Sequence, residues 1–148
     1  MALKHKLTID IFGTQPYDTD SIPMSMIELL KNNPNFTATI PDHDNVFLIG
    51  EINGKKIAVI CGKEATYEDF TRRVDKALTE GCDLIFASTP HHADKYDYLK
   101  GEVTERGYYL VETSTLFLKI DSGYPEDEAL QKILNDTYVE MLFDIIKL

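Results

Sequence analysis

Short uninterrupted apolar runs alternate along this chain with stretches in which apolar residues recur at helical spacing. The runs predict strands, because a strand that is covered on both faces does not alternate apolar with polar residues. These strands are predicted at residues 7–12, 56–61, 83–87 and 108–112. Helices are predicted after them, at residues 24–31, 66–81, 92–106 and 125–148. The alternation predicts an α/β fold with three layers, in which a mostly parallel sheet is flanked by helices.

An Asn-Gly pair marks a tight hairpin within this pattern. Residues 46–50 and 56–61 are joined through Asn53 and Gly54, two residue types that tolerate positive φ. The two strands should therefore pair antiparallel, which adds one antiparallel hairpin to the sheet. Residues 37–40 are a further candidate for a short strand.

Start and stop residues define the ends of the predicted helices. Thr66 is the expected N-cap of one helix, with Asp69 in its first turn and Gly81 at its end. Asp20 or Ser21 is the N-cap candidate of the first helix. The last helix is predicted to bury one apolar stripe, formed by Leu130, Ile133, Leu134, Met141, Leu142, Ile145 and Ile146.

Length and charge narrow the possible functions. The 148 residues suit a single domain over residues 1–148, and 43% of them are hydrophobic, which is typical of a packed core. Acidic residues outnumber basic ones by 25 to 15, giving a net charge of −10. A protein that binds nucleic acid must neutralise phosphates, so this charge makes nucleic acid an unlikely partner. A basic protein partner, or imitation of nucleic acid, stays open.

The cysteines and the absence of long apolar runs predict a cytoplasmic protein. Cys61 and Cys82 flank predicted strands and have no metal-ligand spacing, so we expect buried, reduced thiols and no zinc site. No apolar run approaches the roughly 18 residues of a membrane span. The first residues lack the apolar core of a signal peptide.

Ligands of parallel sheets bind at the carboxyl ends of the strands. This rule predicts that residues 13–21, 62–64, 88–94 and 113–115 share one edge. The candidates there for contact with a phosphate or nucleotide are Gly13, Thr14, Thr19, Ser21, Lys63, Ser88, Thr89 and His91. The candidates for a metal are Asp18, Asp20 and Glu64, although none of these carboxylates stands out as a ligand.

Several segments resemble the P-loop NTPases and nucleotide-kinase-like proteins. Residues 7–13 (LTIDIFG) run into a loop and a helix, as a Walker A segment does. Residues 55–62 (KKIAVICG) and 80–90 (EGCDLIFASTP) are similar to later core strands of that fold, and residues 135–146 are similar to its end. The resemblance covers nearly the whole chain. It implies a P-loop-like fold and, in an active member, an NTPase or nucleotide kinase that uses ATP or another nucleotide with Mg²⁺.

The loop after Gly13 departs from the Walker A pattern G-x-x-x-x-G-K-[ST]. Asp18 stands in place of the second glycine and Thr19 in place of the lysine, and the alternative register puts Asp20 at the lysine position. Glycine amides and the lysine charge are what hold the phosphates in such a loop. Without that cation, the sequence favours a degenerate Walker A loop and a protein without phosphoryl-transfer activity.

Other clusters of polar residues have a functional and a structural interpretation. His91 and His92 with Asp94 fit phosphate contact, metal binding or acid–base chemistry, but an exposed helix start explains them as well. A nuclease of the PD-(D/E)xK kind needs an acid and a lysine two residues apart at a strand centre, and Glu51 is followed by no such lysine. Lys63 is the best substitute for the missing lysine, at the end of its strand.

Tyrosines are abundant in the second half of the chain, and their rings suit protein interfaces. The candidates for partner contact are Tyr96, Tyr98 and Tyr124. The first hypothesis is therefore a non-catalytic P-loop-like domain that binds a protein as a regulator or inhibitor, in a phage or mobile-element context. The alternative is a nucleotide- or phosphate-binding protein in which Lys63 or a histidine supplies the cation. A weaker alternative is an acidic mimic of nucleic acid; the oligomeric state stays open.

Overall fold

A computed structural model describes residues 5–13, 20–40, 45–90, 93–114 and 127–147 of the chain. These ranges contain six strands and four helices. In chain order they are β1 (Leu7–Gly13), α1 (Ser21–Lys31), β2 (Phe36–Ile40), β3 (Phe47–Ile52), β4 (Lys55–Ile60), α2 (Tyr67–Thr79), β5 (Leu84–Pro90), α3 (Asp94–Glu105), β6 (Tyr109–Ser114) and α4 (Asp127–Ile146).

The strands form one mixed sheet in the order β2-β3-β4-β5-β1-β6. Strand β1 pairs in parallel with both β5 and β6, and β4 pairs in parallel with β5. Strand β3 pairs antiparallel with β2 and with β4, so among these six strands it alone runs in the opposite direction. The predicted α/β class and the antiparallel hairpin are confirmed.

The strands with uninterrupted apolar runs lie in the middle of the sheet. In β5 every residue from Leu84 to Thr89 is buried, and the last four residues of β4 are buried as well. The edge strands β2 and β6 are largely exposed. Burial on both faces explains why polar alternation is missing from the central strands.

Helices cover both faces of the sheet and create two hydrophobic clusters. On one face, α1 and α4 pack against side chains such as Ile9 and Ile11 of β1. On the other face, α2 and α3 pack against Ile85 and Ala87 of β5. The arrangement of helix, sheet and helix agrees with the predicted three layers.

Local signals explain the turn of the hairpin and the ends of α2. Asn53 and Gly54 have φ of 53° and 77°, and they join β3 to β4 where Ile52 faces Lys55. The Thr66 hydroxyl accepts a hydrogen bond from the backbone N–H of Asp69 at 3.1 Å, which confirms the predicted N-cap of α2. Cys61 and Cys82 are both buried and are not joined in a disulfide, as expected.

The predicted apolar stripe of α4 is partly wrong. Ile133 is 59% exposed and Met141 is 48% exposed, whereas Tyr138, Val139 and Leu142 are buried. Ile133 lies five residues before Tyr138, a spacing that places it well away from the buried face of a helix with 3.6 residues per turn. Helical spacing allowed more than one apolar stripe, and contact with the sheet selected the stripe that includes Tyr138.

Replacing Gly50 with Ala should destabilise the fold, because the new methyl group has no room. A Cβ at this position in β3 would lie 2.2 Å from the Phe36 ring and 2.5 Å from the Thr37 carbonyl oxygen. Such overpacking costs about 1–3 kcal/mol in the free energy of unfolding, which urea denaturation measures.

Gly101→Ala is the matched control, since Gly101 lies inside α3 and no atom lies within 4 Å of the place that a methyl group there would take. That variant should be more stable than the wild type by up to about 1 kcal/mol, because alanine favours the helix. If both substitutions change the free energy of unfolding equally, β2 and β3 are not closely packed at Gly50.

Candidate functional site at the carboxyl edge of the sheet

The topology creates a crevice between the carboxyl ends of β1 and β5. The helix that follows β1 is α1 and covers one face, while the helix that follows β5 is α3 and covers the other face. Adjacent parallel strands whose connections leave on opposite faces leave a gap between them, where open α/β sheets bind ligands. Gly13 faces Pro90 at this point of the sheet.

A buried carboxylate lies on the α1 side of this crevice. Asp20, directly before α1, is 4% exposed. Its Oδ1 accepts hydrogen bonds from the backbone N–H of Lys63 at 3.0 Å and from the Ser88 hydroxyl at 2.5 Å. Its Oδ2 accepts from the backbone N–H of Glu64 at 3.0 Å. Two donors from the loop after β4 and one from β5 therefore converge on one carboxylate.

Two cations hold the loop that supplies these donors. The Lys95 ammonium donates to the Lys63 carbonyl at 3.0 Å, and the Arg73 guanidinium donates to the Cys61 carbonyl at 3.1 Å. Burial lowers the pKa of Lys95, although the nearby charge of Asp20 opposes that shift. The loop carbonyls are fixed by cations while the amides of Lys63 and Glu64 face the carboxylate.

Gly62 lets this loop approach β5 closely. Its N–H donates to the Ser88 hydroxyl at 3.0 Å, and that hydroxyl in turn donates to Asp20. A Cβ on Gly62 would lie 2.1 Å from the Ser88 carbonyl oxygen and 2.6 Å from the Phe70 ring. Only glycine fits at this position without movement of the backbone.

A second buried carboxyl group lies within β1, on the side of the sheet that α3 covers. Asp10 is fully buried, and its Oδ1 accepts a hydrogen bond from the Thr89 hydroxyl at 2.6 Å. Its Oδ2 has no hydrogen-bond partner within the described ranges. Burial raises the pKa of Asp10 to about 7, with a smaller contribution from Glu112, while the bond from Thr89 opposes the shift. Near neutral pH this group can therefore hold or release a proton.

The neighbour of Asp10 in β6 is Glu112, which is also engaged. The Tyr96 hydroxyl of α3 donates to its Oε1, and this bond raises the pKa of Tyr96 to about 12. Asp10, Glu112 and Tyr96 therefore form a polar cluster where β1 and β6 meet α3. Among the residues with described positions, no group of three or more His, Cys, Asp or Glu is arranged to hold a metal ion.

The structure brings several predicted candidates to this edge. Ser88 and Thr89 point to opposite faces of β5 and bond to Asp20 and Asp10 respectively. Lys63 and Glu64 contribute backbone N–H groups to Asp20. Gly13 ends β1 and Ser21 begins α1. Five candidates lie outside the described residues, namely Thr14, Asp18, Thr19, His91 and Tyr124.

Other candidates make contacts of a different kind. Asp20 is the N-cap residue of α1, as predicted, although its side chain makes no capping hydrogen bond there. Its two carboxylate oxygens accept hydrogen bonds from the amides of Lys63 and Glu64. Tyr96 is buried, and the half-buried Tyr98 donates its hydroxyl to Asp75. Glu51 is exposed at the hairpin, away from the buried centre of β4.

Sequence reasoning missed three participants: Asp10, Glu112 and Lys95. One signal was present for Asp10, because a carboxylate inside the apolar run of a central strand requires a partner or a proton. No comparable local signal marks Lys95, whose contact with Lys63 spans 32 residues of sequence.

Comparisons with protein-family models, with curated proteins and with solved structures found no match to this chain. Across the described ranges, no helix is long and apolar enough to cross a membrane.

Replacing Asp10 with Asn should change how stability depends on pH. The folded-state pKa of about 7 lies above the ordinary value of 3.8, so the folded protein retains a proton that the unfolded chain releases between these values. The wild-type free energy of unfolding should fall as pH rises from about 4 to about 7, by up to about 4 kcal/mol from this group. In Asp10→Asn, the free energy of unfolding measured by urea denaturation should lose this part of its dependence on pH.

The control is Asp144→Asn, which changes an exposed carboxylate near the end of α4. Its pH dependence should match that of the wild type. An unchanged slope in Asp10→Asn would mean that Asp10 is ionised in the folded protein throughout this range.

Proposed function

We propose that this chain is a non-catalytic, P-loop-like domain that regulates or inhibits a protein partner by binding it. The observation that carries this proposal is an open groove between α1 and α4, whose lining combines the apolar side chains of Leu29, Val139 and Phe143 with carboxylates such as Glu28 and Glu140. The P-loop-like relationship is supported by β1, an internal strand of a largely parallel sheet that is followed in the chain by α1.

The groove has two connected parts. One part, of about 460 Å³, is lined by Glu28 and Leu29 of α1 and by Val139 and Glu140 of α4, among others. The other part, of about 640 Å³, shares Leu29 and Glu140 and continues to Phe143. Two parallel walls of helix and a continuous depression suit a helical segment of a partner.

The groove combines apolar and negative surface. Leu29 is 50% exposed and offers an apolar anchor point. Asp136 and Asp144 are neutralised by Lys132 and Lys147 at 2.8 and 3.4 Å. Glu28 and Glu140 have no ion pair among the described residues.

The partner segment that this surface fits is basic and amphipathic. Its apolar side would lie on Leu29, and its Lys or Arg residues would face Glu28 and Glu140. Complementary charge of this kind speeds association and selects the partner. The net charge of −10 favours the same class of partner.

The carboxyl edge supports the non-catalytic part of the proposal. Phosphoryl transfer depends on positive charge and donors directed at the transferring group. The converging donors at this edge already hold the Asp20 carboxylate, so in the wild-type protein they are satisfied within the chain and are not directed at a transferring group.

Nucleotides should bind the wild-type protein with a dissociation constant of about 1 mM or higher, because the Asp20 carboxylate occupies the donors at the strand ends. Isothermal titration with ATP, GTP and deoxynucleoside monophosphates, each with and without Mg²⁺, measures this. A micromolar affinity would overturn the non-catalytic preference and support the nucleotide-binding alternative.

A basic amphipathic helical peptide should bind the groove, and Glu140→Lys should weaken that binding by about tenfold through charge repulsion. Leu29→Ser should weaken it as well, because the apolar anchor point is lost. Fluorescence anisotropy with a labelled peptide of Leu and Lys at i,i+4 spacing measures both effects.

Glu105→Lys is the matched control, since it makes the same charge change on an exposed glutamate at the end of α3. It should leave the peptide affinity within about twofold of the wild type, because its distance from the groove leaves only screened long-range attraction. If Glu140→Lys and Glu105→Lys weaken peptide binding equally, the peptide responds to net charge alone, and the groove is not the docking site. Equal affinity for an acidic version of the peptide would have the same consequence.

A further inference from the structure

We infer that the backbone amides of Lys63 and Glu64 and the hydroxyl of Ser88 form an oxyanion-binding site, in which Asp20 is a tethered occupant that a phosphate or carboxylate group of a ligand replaces. This inference concerns the carboxyl edge of the sheet and does not depend on the groove between α1 and α4.

The donors are arranged for an anion rather than for the local needs of the chain. Asp20 lies 43 and 44 residues before the two amides that it binds, and its carboxylate does not cap its own helix. The three contacts of 2.5–3.0 Å reach both oxygens of the carboxylate. Hydrogen bonds to an ionised acceptor are stronger than those to a neutral one, and the oxygens of a phosphate are ionised acceptors like those of a carboxylate.

The surroundings of the donors are positive and fixed. Lys95 and Arg73 donate to carbonyls of residues 61–63, which holds the loop from the side away from the amides. Gly62 and Ser88 form a relay in which a backbone N–H bonds to the hydroxyl and the hydroxyl bonds to the anion. Donors held in place in this way need little rearrangement when one anion replaces another.

The tether determines how the site responds to a free ligand. The Asp20 carboxylate competes as an intramolecular group, with an effective concentration on the order of millimolar or higher. A free anion must exceed that competition, so the intact protein should respond weakly to small anions. A ligand with further contacts, or loss of the Asp20 carboxylate, would open the site.

The side chain of Asp20 can be removed without removing the start of α1. The Asp20 carbonyl accepts the first backbone hydrogen bond of that helix from the N–H of Met24 at 3.0 Å, and alanine retains this carbonyl. Asp20→Ala should therefore remove the carboxylate from the donors and keep the helix, at the cost of the hydrogen bonds to two part-buried amides.

The experiment follows the amide resonances of Lys63 and Glu64 in Asp20→Ala during titration with formate, acetate or inorganic phosphate. We expect saturable shifts at these two amides and a rise in the melting temperature, both at least about tenfold more sensitive to anion than in the wild type, since the tethered competitor is gone. Chloride at matched ionic strength should produce neither effect. A preference for formate and acetate would identify a carboxylate ligand, and a preference for phosphate would identify a phosphoryl ligand.

Two further variants keep the outcome decisive. Asp20→Asn keeps the side-chain volume but turns an amide N–H₂ group toward a donor, so it should give a weaker response at the same amides even if the alanine variant folds poorly. Adding Ser88→Ala should reduce the anion response of either variant, because one donor is lost. Two results would overturn the inference. One is that formate, acetate and phosphate shift the two amides no more than chloride does in both Asp20 variants. The other is that Ser88→Ala leaves the shifts unchanged.

Discussion

A carboxylate that leaves water must either gain hydrogen-bond donors or take up a proton, and the centre of this molecule is organised around that constraint. Asp20 follows the first course, with two donors from the loop after β4 and one from β5. Asp10 follows the second, because Thr89 is its one donor among the described residues and burial raises its pKa to about 7. The two groups lie on opposite faces of the β1–β5 pair, so the same crevice has an anionic side and a side that binds protons.

The donors of Asp20 connect parts of the fold that are distant in sequence. Through this one side chain, the start of α1 is joined to the loop after β4 and to the last residues of β5. Helix α1 also forms one wall of the groove against α4. Helix α1 therefore connects the carboxyl edge to the groove, although the two regions have no residue in common.

Much of this architecture was predictable because its causes are local. Asn53 and Gly54 specify the hairpin through their backbone conformation, and Thr66 begins α2 through its own side chain. The uninterrupted apolar runs are also a local signal, and they predicted a largely parallel sheet that is covered by helices on both faces. The position of β6 beside β1 was not predictable, since strand order depends on pairings between segments about 100 residues apart. Likewise, the spacing of Ile133 and Met141 was compatible with burial, and only the placement of α4 on the sheet excluded it.

The chemistry of the edge was less predictable than its location. The sequence placed Lys63, Ser88 and Thr89 at the strand ends, but it assigned importance to side-chain charge and therefore to the absent Walker lysine. Two of the donors that hold Asp20 are backbone amides, which every residue except proline possesses and which no motif records. Gly62 allows their loop to approach β5 closely, and Lys95 and Arg73 fix the neighbouring carbonyls. The third donor is the Ser88 hydroxyl of β5, so the arrangement depends on the approach of two segments that are distant in sequence, and side-chain charge in either segment does not reveal it.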